Sequence, residues 1–168
     1  MTAPPYWALS FIYWLHMLAT VIWIGSLACL SLLVLPAARK LPQDEYAGFL
    51  SDLQRRLDPL GWVCLLVLVA TGMFQMSANP SYSGFLAIDN RWAVAIFAKH
   101  VVFFGMTGVS AYLTWGLLPR LQRAALRQSR GLDTPDANRL RQQESLLIRL
   151  NLVLAMLVLA LTAVARVS

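Results

Sequence analysis

Charged side chains are scarce in this sequence. They make up 13% of the 168 residues, whereas hydrophobic residues make up 58%. A soluble domain of this size usually has about a quarter of its residues charged, so the deficit excludes an ordinary water-soluble fold and indicates a lipid environment. The few charges are also clustered, which leaves long runs with none at all, such as Leu60 to Ile88.

Cysteine and histidine are nearly absent, and so are the common catalytic motifs. The chain has two cysteines and two histidines, and it contains no H-E-x-x-H, glycine-rich phosphate loop or G-x-S-x-G sequence. These absences exclude zinc proteases of that type, nucleotide-binding loops and serine hydrolases, and two histidines are too few for a multi-histidine oxidase centre. Cys29 and Cys64 lack metal-ligand spacing and are expected to be free buried thiols.

Four apolar segments are long enough to cross a bilayer, which requires about 20 residues per helix. The first has no basic region before it and exceeds the apolar core of a signal peptide, so it is expected to be a retained helix. We predict an all-α, integral membrane, four-helix up-down bundle that forms one transmembrane domain over residues 1–168. The expected helices are 7–36, 59–78, 92–119 and 146–166, with a cytoplasmic amphipathic segment at 43–57.

The basic residues predict the orientation. Eleven Lys and Arg residues lie in or beside the first and third connections, whereas Arg91 is alone in the second. Because cytoplasmic loops retain Lys and Arg, both termini are expected on the extracytoplasmic side of an inner (plasma) membrane. The net charge of +6 is then a topology signal that also suits anionic lipid, and no nucleic-acid partner is needed to explain it.

Three ionisable residues fall inside the predicted spans: His16, Lys99 and His100. Such residues are costly in a membrane and indicate function. Both histidines lie roughly 12–14 Å along their helices from an aromatic residue, Trp7 or Trp92, at 1.5 Å per residue. Helices 1 and 3 of an up-down bundle are diagonal, so two imidazoles would face each other at one depth. That geometry predicts axial ligation of a b-type haem.

The neighbours of these residues extend the hypothesis. Thr20 and Trp23 share the helical face of His16 and are expected to line the cofactor. Lys99 could pair with a haem propionate or with Asp89, the one acid predicted on the outer side. Should the chain be an enzyme, we expect an oxidoreductase with Lys99 as its catalytic residue.

A copper site is the alternative interpretation. Met73 and Met76 are one turn apart at the end of helix 2, on the same outer side as His16 and His100. Thioethers together with imidazoles select copper, and Cu(I) in particular. The same four residues are therefore predicted as metal ligands.

The chain resembles a known family along nearly its whole length. The segments that carry the resemblance are "HMLATVIWIGSLACLSLLVLPAARKLP", "WVCLLVLVATGMF", "WAVAIFAKHVVFFGMTGVSAYLTWGLLPRL" and "LLIRLNLVLAMLVLALTAVAR", which look like the copper-resistance protein D (CopD) family. His16, Trp23 and Lys99 are also similar to motif positions of the HemJ-like four-helix protoporphyrinogen oxidases, which bind haem b. However, the end of helix 1 is neither basic nor aromatic, and His100 follows Lys99, whereas in HemJ the histidine comes first. These departures disfavour the oxidase activity.

Three functional hypotheses stay open at this point. The first is a haem b-binding protein of electron transfer or haem metabolism, with a quinone or another redox partner. The second is a copper transport or delivery protein. The third is an accessory subunit of a larger membrane electron-transfer complex. The lipid bilayer is an expected partner in all three.

Overall fold

The structure, a computed structural model, describes residues 5–41, 43–79, 82, 84, 90–130, 132 and 136–167. Every regular element in these ranges is helical, as the composition predicted. Helix α1 comprises Tyr6–Cys29, a π-helical turn at Leu30–Val34 and a last α-helical turn at Leu35–Ala38. Helix α2 is Gln43–Ser77, and α4 is Ala137–Val167. Helix α3 comprises Arg91–Ala111, a π-helical turn at Tyr112–Leu117 and an α-helical part at Leu118–Ser129. All four are long and apolar enough to cross a membrane.

The polarity of the surface is the reverse of that in a soluble protein. Large apolar side chains such as Leu33, Leu66 and Val153 are exposed on the outside of the helices, whereas Glu144 and Asn151 are buried. In water this arrangement would cost free energy at every exposed leucine and at every buried polar group. Lipid removes the first cost, so the exterior indicates contact with a bilayer.

The helices alternate in direction. Successive helices contact each other through His16 and Thr71, Trp62 and Trp115, and Ser110 and Asn151. His16 is early in α1 and Thr71 is late in α2, and the midpoints of α3 and α4 meet, as antiparallel neighbours require. Arg39, just after α1, contacts Ser145 near the start of α4 and closes the bundle. The predicted up-down arrangement is therefore present, with α1 and α3 diagonal. We call the end with Tyr6, Ser77, Arg91 and Val167 the terminal end, and the end with the two basic connections the basic end.

Two prolines lie just after the π-helical turns. Pro36 follows the turn in α1, and Pro119 follows the one in α3. A proline ring clashes with the carbonyl four residues earlier and donates no backbone hydrogen bond. A π-helical turn is wider and shifts the hydrogen-bond register by one residue, so it accommodates the ring without ending the helix.

Helix α2 differs from the sequence-based expectation. We expected a surface segment at 43–57 and a new helix at Asp58-Pro59, but one helix runs from Gln43 to Ser77 with Pro59 in its interior. Neighbouring helices can satisfy the backbone groups that a proline frees inside a membrane bundle, so Pro59 does not end α2. The amphipathic stretch is thus the first part of α2. Likewise, α4 begins at Ala137, nine residues before the expected 146.

The bundle interior contains two apolar clusters at different levels. The first, here called the apolar layer, lies near the middle and comprises Ala19, Trp23, Cys64, Leu65, Leu68, Met106, Ala155 and Val158. The second lies at the basic end and includes Leu35, Tyr46, Leu50 and Ile148. The apolar layer separates the polar side chains of the terminal half from those of the basic half.

Candidate functional site

His16 contacts α2 through its imidazole. Its Nδ1 lies 2.7 Å from Oγ1 of Thr71, and the Thr71 hydroxyl lies 2.6 Å from the carbonyl oxygen of Val67. A hydroxyl has one hydrogen, and a carbonyl can only accept, so Thr71 donates to Val67 and accepts from His16. The proton of a neutral His16 ring is therefore on Nδ1, and Nε2 carries the lone pair.

His100 adopts the same tautomer for a different reason. Its Nδ1 lies 2.7 Å from the carbonyl oxygen of Ile96, one turn earlier in α3. Because that oxygen cannot donate, Nδ1 must carry the hydrogen, and Nε2 of the neutral ring has the lone pair. Metal-ligating histidines are typically held in this way, with one nitrogen donating to an oxygen and the other directed to the metal.

Thr20 and Trp23 do not hold the His16 ring. The Thr20 hydroxyl donates to the backbone carbonyl of His16 at 2.8 Å, and the hydroxyl that meets the imidazole belongs to Thr71. Trp23 is buried in the apolar layer, where its ring meets Phe103 edge-on with 5.8 Å between centroids. Trp23 lies on the same face of α1 as His16, but two turns closer to the basic end.

Met73 and Met76 have different environments. Met76 is buried, with 8% of its surface exposed, whereas Met73 is 54% exposed. Thr71 and Met76 both face the bundle interior, about 7.5 Å apart along the helix axis at 1.5 Å per residue. Gln75, between the two methionines, has a buried Nε2 without a hydrogen-bond partner. The structure therefore turns Met76 toward the bundle interior and Met73 toward the outside.

Lys99 lies on α3, one residue before His100, and is partly buried in the terminal half. Its positive charge opposes a second positive charge on the His16 imidazole. The expected partner, Asp89, lies outside the described residues. In the terminal half, His16 is thus hydrogen-bonded to Thr71, while Lys99 is partly buried and Met76 is buried at the same end of the bundle.

The haem prediction gains no support from the bundle. Helices α1 and α3 meet directly at Trp23 and Phe103, only three residues beyond His100. Gly105 and Gly108, the small residues of α3 just beyond His100, lie on its exposed side with nothing within 4 Å of an added Cβ, so they open no space toward α1. A flat macrocycle between α1 and α3 is therefore not favoured by the packing.

Sequence reasoning missed the buried polar groups of the basic half. Glu144 is 1% exposed, and its Oε1 accepts from Nε2 of Gln54 at 3.2 Å, while its Oε2 has no partner. Burial and the charge of Glu144 raise the pKa of the Tyr46 phenol to about 12. Arg141 covers the Tyr46 ring at 4.6 Å from its centroid. Tyr46 and Gln54 belong to the segment 43–57 that was expected at the surface, and Glu144 and Arg141 precede the expected start of the fourth helix at 146. Only an inter-helix contact could have indicated their burial.

The residues that most often bind metals do not cluster in the described part of the chain. Within it, no group of three or more His, Cys, Asp or Glu side chains is placed to hold a metal ion. Cys29 and Cys64 are both free thiols, as predicted, but only Cys64 is buried; Cys29 is exposed, which corrects the expectation that both are buried. A metal held by these residue types in the described part of the chain would therefore have at most two of them as ligands.

The comparison with protein families identifies the chain. The family model for copper resistance protein D matches residues 52–165, from the middle of α2 almost to the end of α4. The chain belongs to the copper resistance protein D family. This finding confirms the resemblance noted in the sequence, and together with the four apolar helices it makes the chain an integral membrane protein. No curated protein and no solved structure matches it.

Proposed function

We propose that this protein transports copper, with Cu(I) as cargo bound at His16 in the terminal half of the bundle. The observation that carries the proposal is the hydrogen bond between His16 and Thr71, which holds the ring with its Nε2 lone pair available to a metal. Membership of the copper resistance protein D family favours copper over iron as the metal.

The ligand chemistry suits Cu(I). Thioether sulfur is a soft donor and imidazole nitrogen a borderline one, and their combination favours Cu(I) over hard cations. Nε2 of His16 and Sδ of Met76 are the primary candidates, and Nε2 of His100 is a third. A site of two or three neutral ligands binds its metal less permanently than a closed structural site, which is appropriate for cargo that must be released.

Lys99 is proposed to promote release. Its ammonium group acts electrostatically on His16. A cation bound at His16 is repelled by a second positive charge nearby, and that repulsion is stronger in a low-dielectric interior than in water. Lys99 is thus assigned a role in transport and not a catalytic role.

The orientation follows from the basic residues. With eleven Lys and Arg in or beside the connections of the basic end, we propose that this end faces the cytoplasm and that both termini are extracytoplasmic. The membrane is the inner (plasma) membrane, and the basic end contacts anionic lipid. Copper would then enter the bundle from the outer side.

Haem b, an oxidoreductase activity of the HemJ type and a role as an electron-transfer subunit are less favoured. Their basis was the pair of histidines, and neither the family nor the packing between α1 and α3 adds to it. A reduced-minus-oxidised optical spectrum of the purified protein tests them directly. We expect no haem absorption.

Copper binding is tested on purified full-length protein in detergent under reducing, oxygen-free conditions. Competition with a coloured Cu(I) chelator measures the affinity of the wild type, His16→Ala and Met17→Leu. Met17 is the exposed neighbour of His16 and supplies the control. We expect His16→Ala to weaken Cu(I) binding at least tenfold, about 1.4 kcal/mol, and Met17→Leu to leave it unchanged. A wild type that retains no Cu(I), or equal affinity in His16→Ala, would overturn the proposal.

The orientation is tested in cells with a fluorescent protein that folds only in the cytoplasm. Fused after Ser168, it should give no signal, because the C-terminus is outside. The matched control inserts the same reporter in the first connection, after Lys40, where a bright signal is expected. A bright C-terminal fusion would reverse the orientation and place His16 near the cytoplasmic side.

A further inference from the structure

A buried acid and a buried amide meet between α2 and α4 in the basic half. Glu144 is 1% exposed and Gln54 is 7% exposed. Nε2 of Gln54 donates to Oε1 of Glu144 at 3.2 Å, which joins the two side chains. The other oxygen of each group, Oε2 of Glu144 and Oε1 of Gln54, is buried and has no hydrogen-bond partner. One contact thus contains two unsatisfied acceptors.

Neither water nor a metal ion explains these two oxygens. Both atoms are enclosed by protein, so no space beside them is available to a water molecule or a cation. An ionised carboxylate only accepts hydrogen bonds, and the donors of an amide are all on its nitrogen. No rearrangement of the hydrogens in an ionised pair therefore places a donor between the two oxygens. The pair lacks one hydrogen, which needs no additional space.

One proton on Glu144 would satisfy both oxygens. A protonated carboxyl group donates through one oxygen and accepts at the other, and an amide group likewise has one donor side and one acceptor side. With Oε2 of Glu144 protonated, an O–H···O bond to Oε1 of Gln54 would run opposite to the existing N–H···O bond. The length of that existing bond, 3.2 Å, also suits a neutral acid, because hydrogen bonds to charged acceptors are shorter.

The groups around the pair favour the neutral acid. Arg141, one turn earlier in α4, is a positive charge that acts on Glu144 and favours its carboxylate. Its guanidinium lies over the Tyr46 ring, 4.6 Å from the centroid, and the side chain is half-buried, so water screens the charge. From the other helices, Arg39 of α1 donates at 2.8 Å to the hydroxyl of the residue after Glu144, and α3 contributes the apolar Leu113 to this level. An ionised Glu144 would thus lose its hydration without full compensation.

We propose that Glu144 is a proton-binding site, whose carboxyl group is protonated at neutral pH and donates a second hydrogen bond to Gln54. The site does not rest on the copper proposal, because the apolar layer separates it from His16. Loss of the proton replaces the second bond by repulsion between two oxygens. The contact between α2 and α4 at the basic end is therefore pH-dependent, and its proton exchanges without crossing the apolar layer.

The first test is infrared spectroscopy of the full-length protein at neutral pH, in a maltoside detergent that has no carbonyl group. The C=O stretch of a protonated carboxylic acid lies above the amide bands and is separate from the bands of carboxylates. We expect an acid band in the wild type that Glu144→Gln removes. Asp58→Asn and Glu45→Gln are the controls and should keep it, because the Asp58 carboxyl is bonded to Thr114 of α3 and Glu45 is exposed.

The pH dependence of stability is a second readout. If the folded protein holds a proton that the unfolded chain releases, its stability is complete at acidic pH and falls as rising pH ionises Glu144 in the folded state. The unfolding equilibrium constant of the wild type should then rise by up to about tenfold per pH unit on the alkaline side. Tyr46 does not contribute there, because burial raises the pKa of its phenol to about 12.

Glu144→Gln is expected to fold, because an amide at this position donates and accepts as the neutral acid does. Its unfolding equilibrium constant should lack the alkaline rise. His16 and His100 are present in both proteins, so their titration cancels in the comparison. The proposal is overturned if the wild type has no acid band that Glu144→Gln removes, or if both proteins show the same pH dependence of stability.

Discussion

The terminal and basic halves of the bundle use polar residues in opposite ways. In the terminal half, His16 and His100 each donate through Nδ1 to an oxygen, so the neutral rings carry their lone pairs on Nε2. In the basic half, Gln54 and Asn151 donate through nitrogen and keep unpartnered oxygens. One half thus offers soft donors and the other hard ones.

In a hydrophobic chain, the chemical type of the buried polar groups is therefore informative as well as their number. A single scattered set of polar residues would indicate helix packing alone. The two halves of this bundle differ in the polar atoms that they leave unpaired, and an apolar layer separates them. The mutations below test whether the two halves are independent.

The largest effect is expected in the basic half, from Glu144→Ala. The change removes a buried carboxyl group, leaves Nε2 of Gln54 without its partner and opens a cavity, so we expect a loss of about 2–3 kcal/mol in the free energy of unfolding. Glu45→Ala, at an exposed position in α2, should have almost no effect. Chemical unfolding in mild detergent measures both. Undiminished stability in Glu144→Ala would show that the buried contact is energetically neutral.

An intermediate effect is expected in the terminal half, from Met76→Leu. Because Met76 faces the interior and Met73 faces outward, Met76→Leu should weaken Cu(I) binding about fivefold to tenfold, up to about 1.4 kcal/mol, while Met73→Leu should not. The chelator competition described above measures this. Equal effects of the two variants would mean that copper approaches from the lipid-facing side of α2. The copper site would then not lie in the interior of the terminal half.

The smallest effect is expected from Lys99→Met. Removing a positive charge near His16 should raise Cu(I) affinity about threefold and slow the release of Cu(I) to a chelator. Stability should be kept or increased, because methionine packs at this depth without a charge. Loss of folded protein would instead identify Lys99 as part of a structural ion pair. Unchanged release kinetics would remove its proposed role in transport.

The helices and the family were predictable from the sequence, because both depend on apolar runs and local motifs. The identity of the His16 partner was not. Thr20 and Thr71 are both threonines at plausible positions, and only the register between α1 and α2 decides which one meets the imidazole. That register is set by packing along the whole interface.

The basic half was the less predictable region for the same reason. Asp58-Pro59 has the local signature of a helix start, yet the helix passes through it because neighbouring helices compensate for the proline. Gln54 and Glu144 have the polarity of surface residues, and they are buried because their side chains contact each other between two helices. Their burial requires a contact across 90 residues of sequence.

The apolar layer has a consequence for the energy balance of the cell. A bundle with polar groups in both of its halves could let protons or ions leak and dissipate the gradient across its membrane. Trp23, Met106 and Ala155 fill the interior between the two levels, and an apolar constriction of this kind excludes a continuous column of water. The layer therefore acts as an electrical insulator, which preserves the membrane potential although polar side chains are buried in both halves of the bundle.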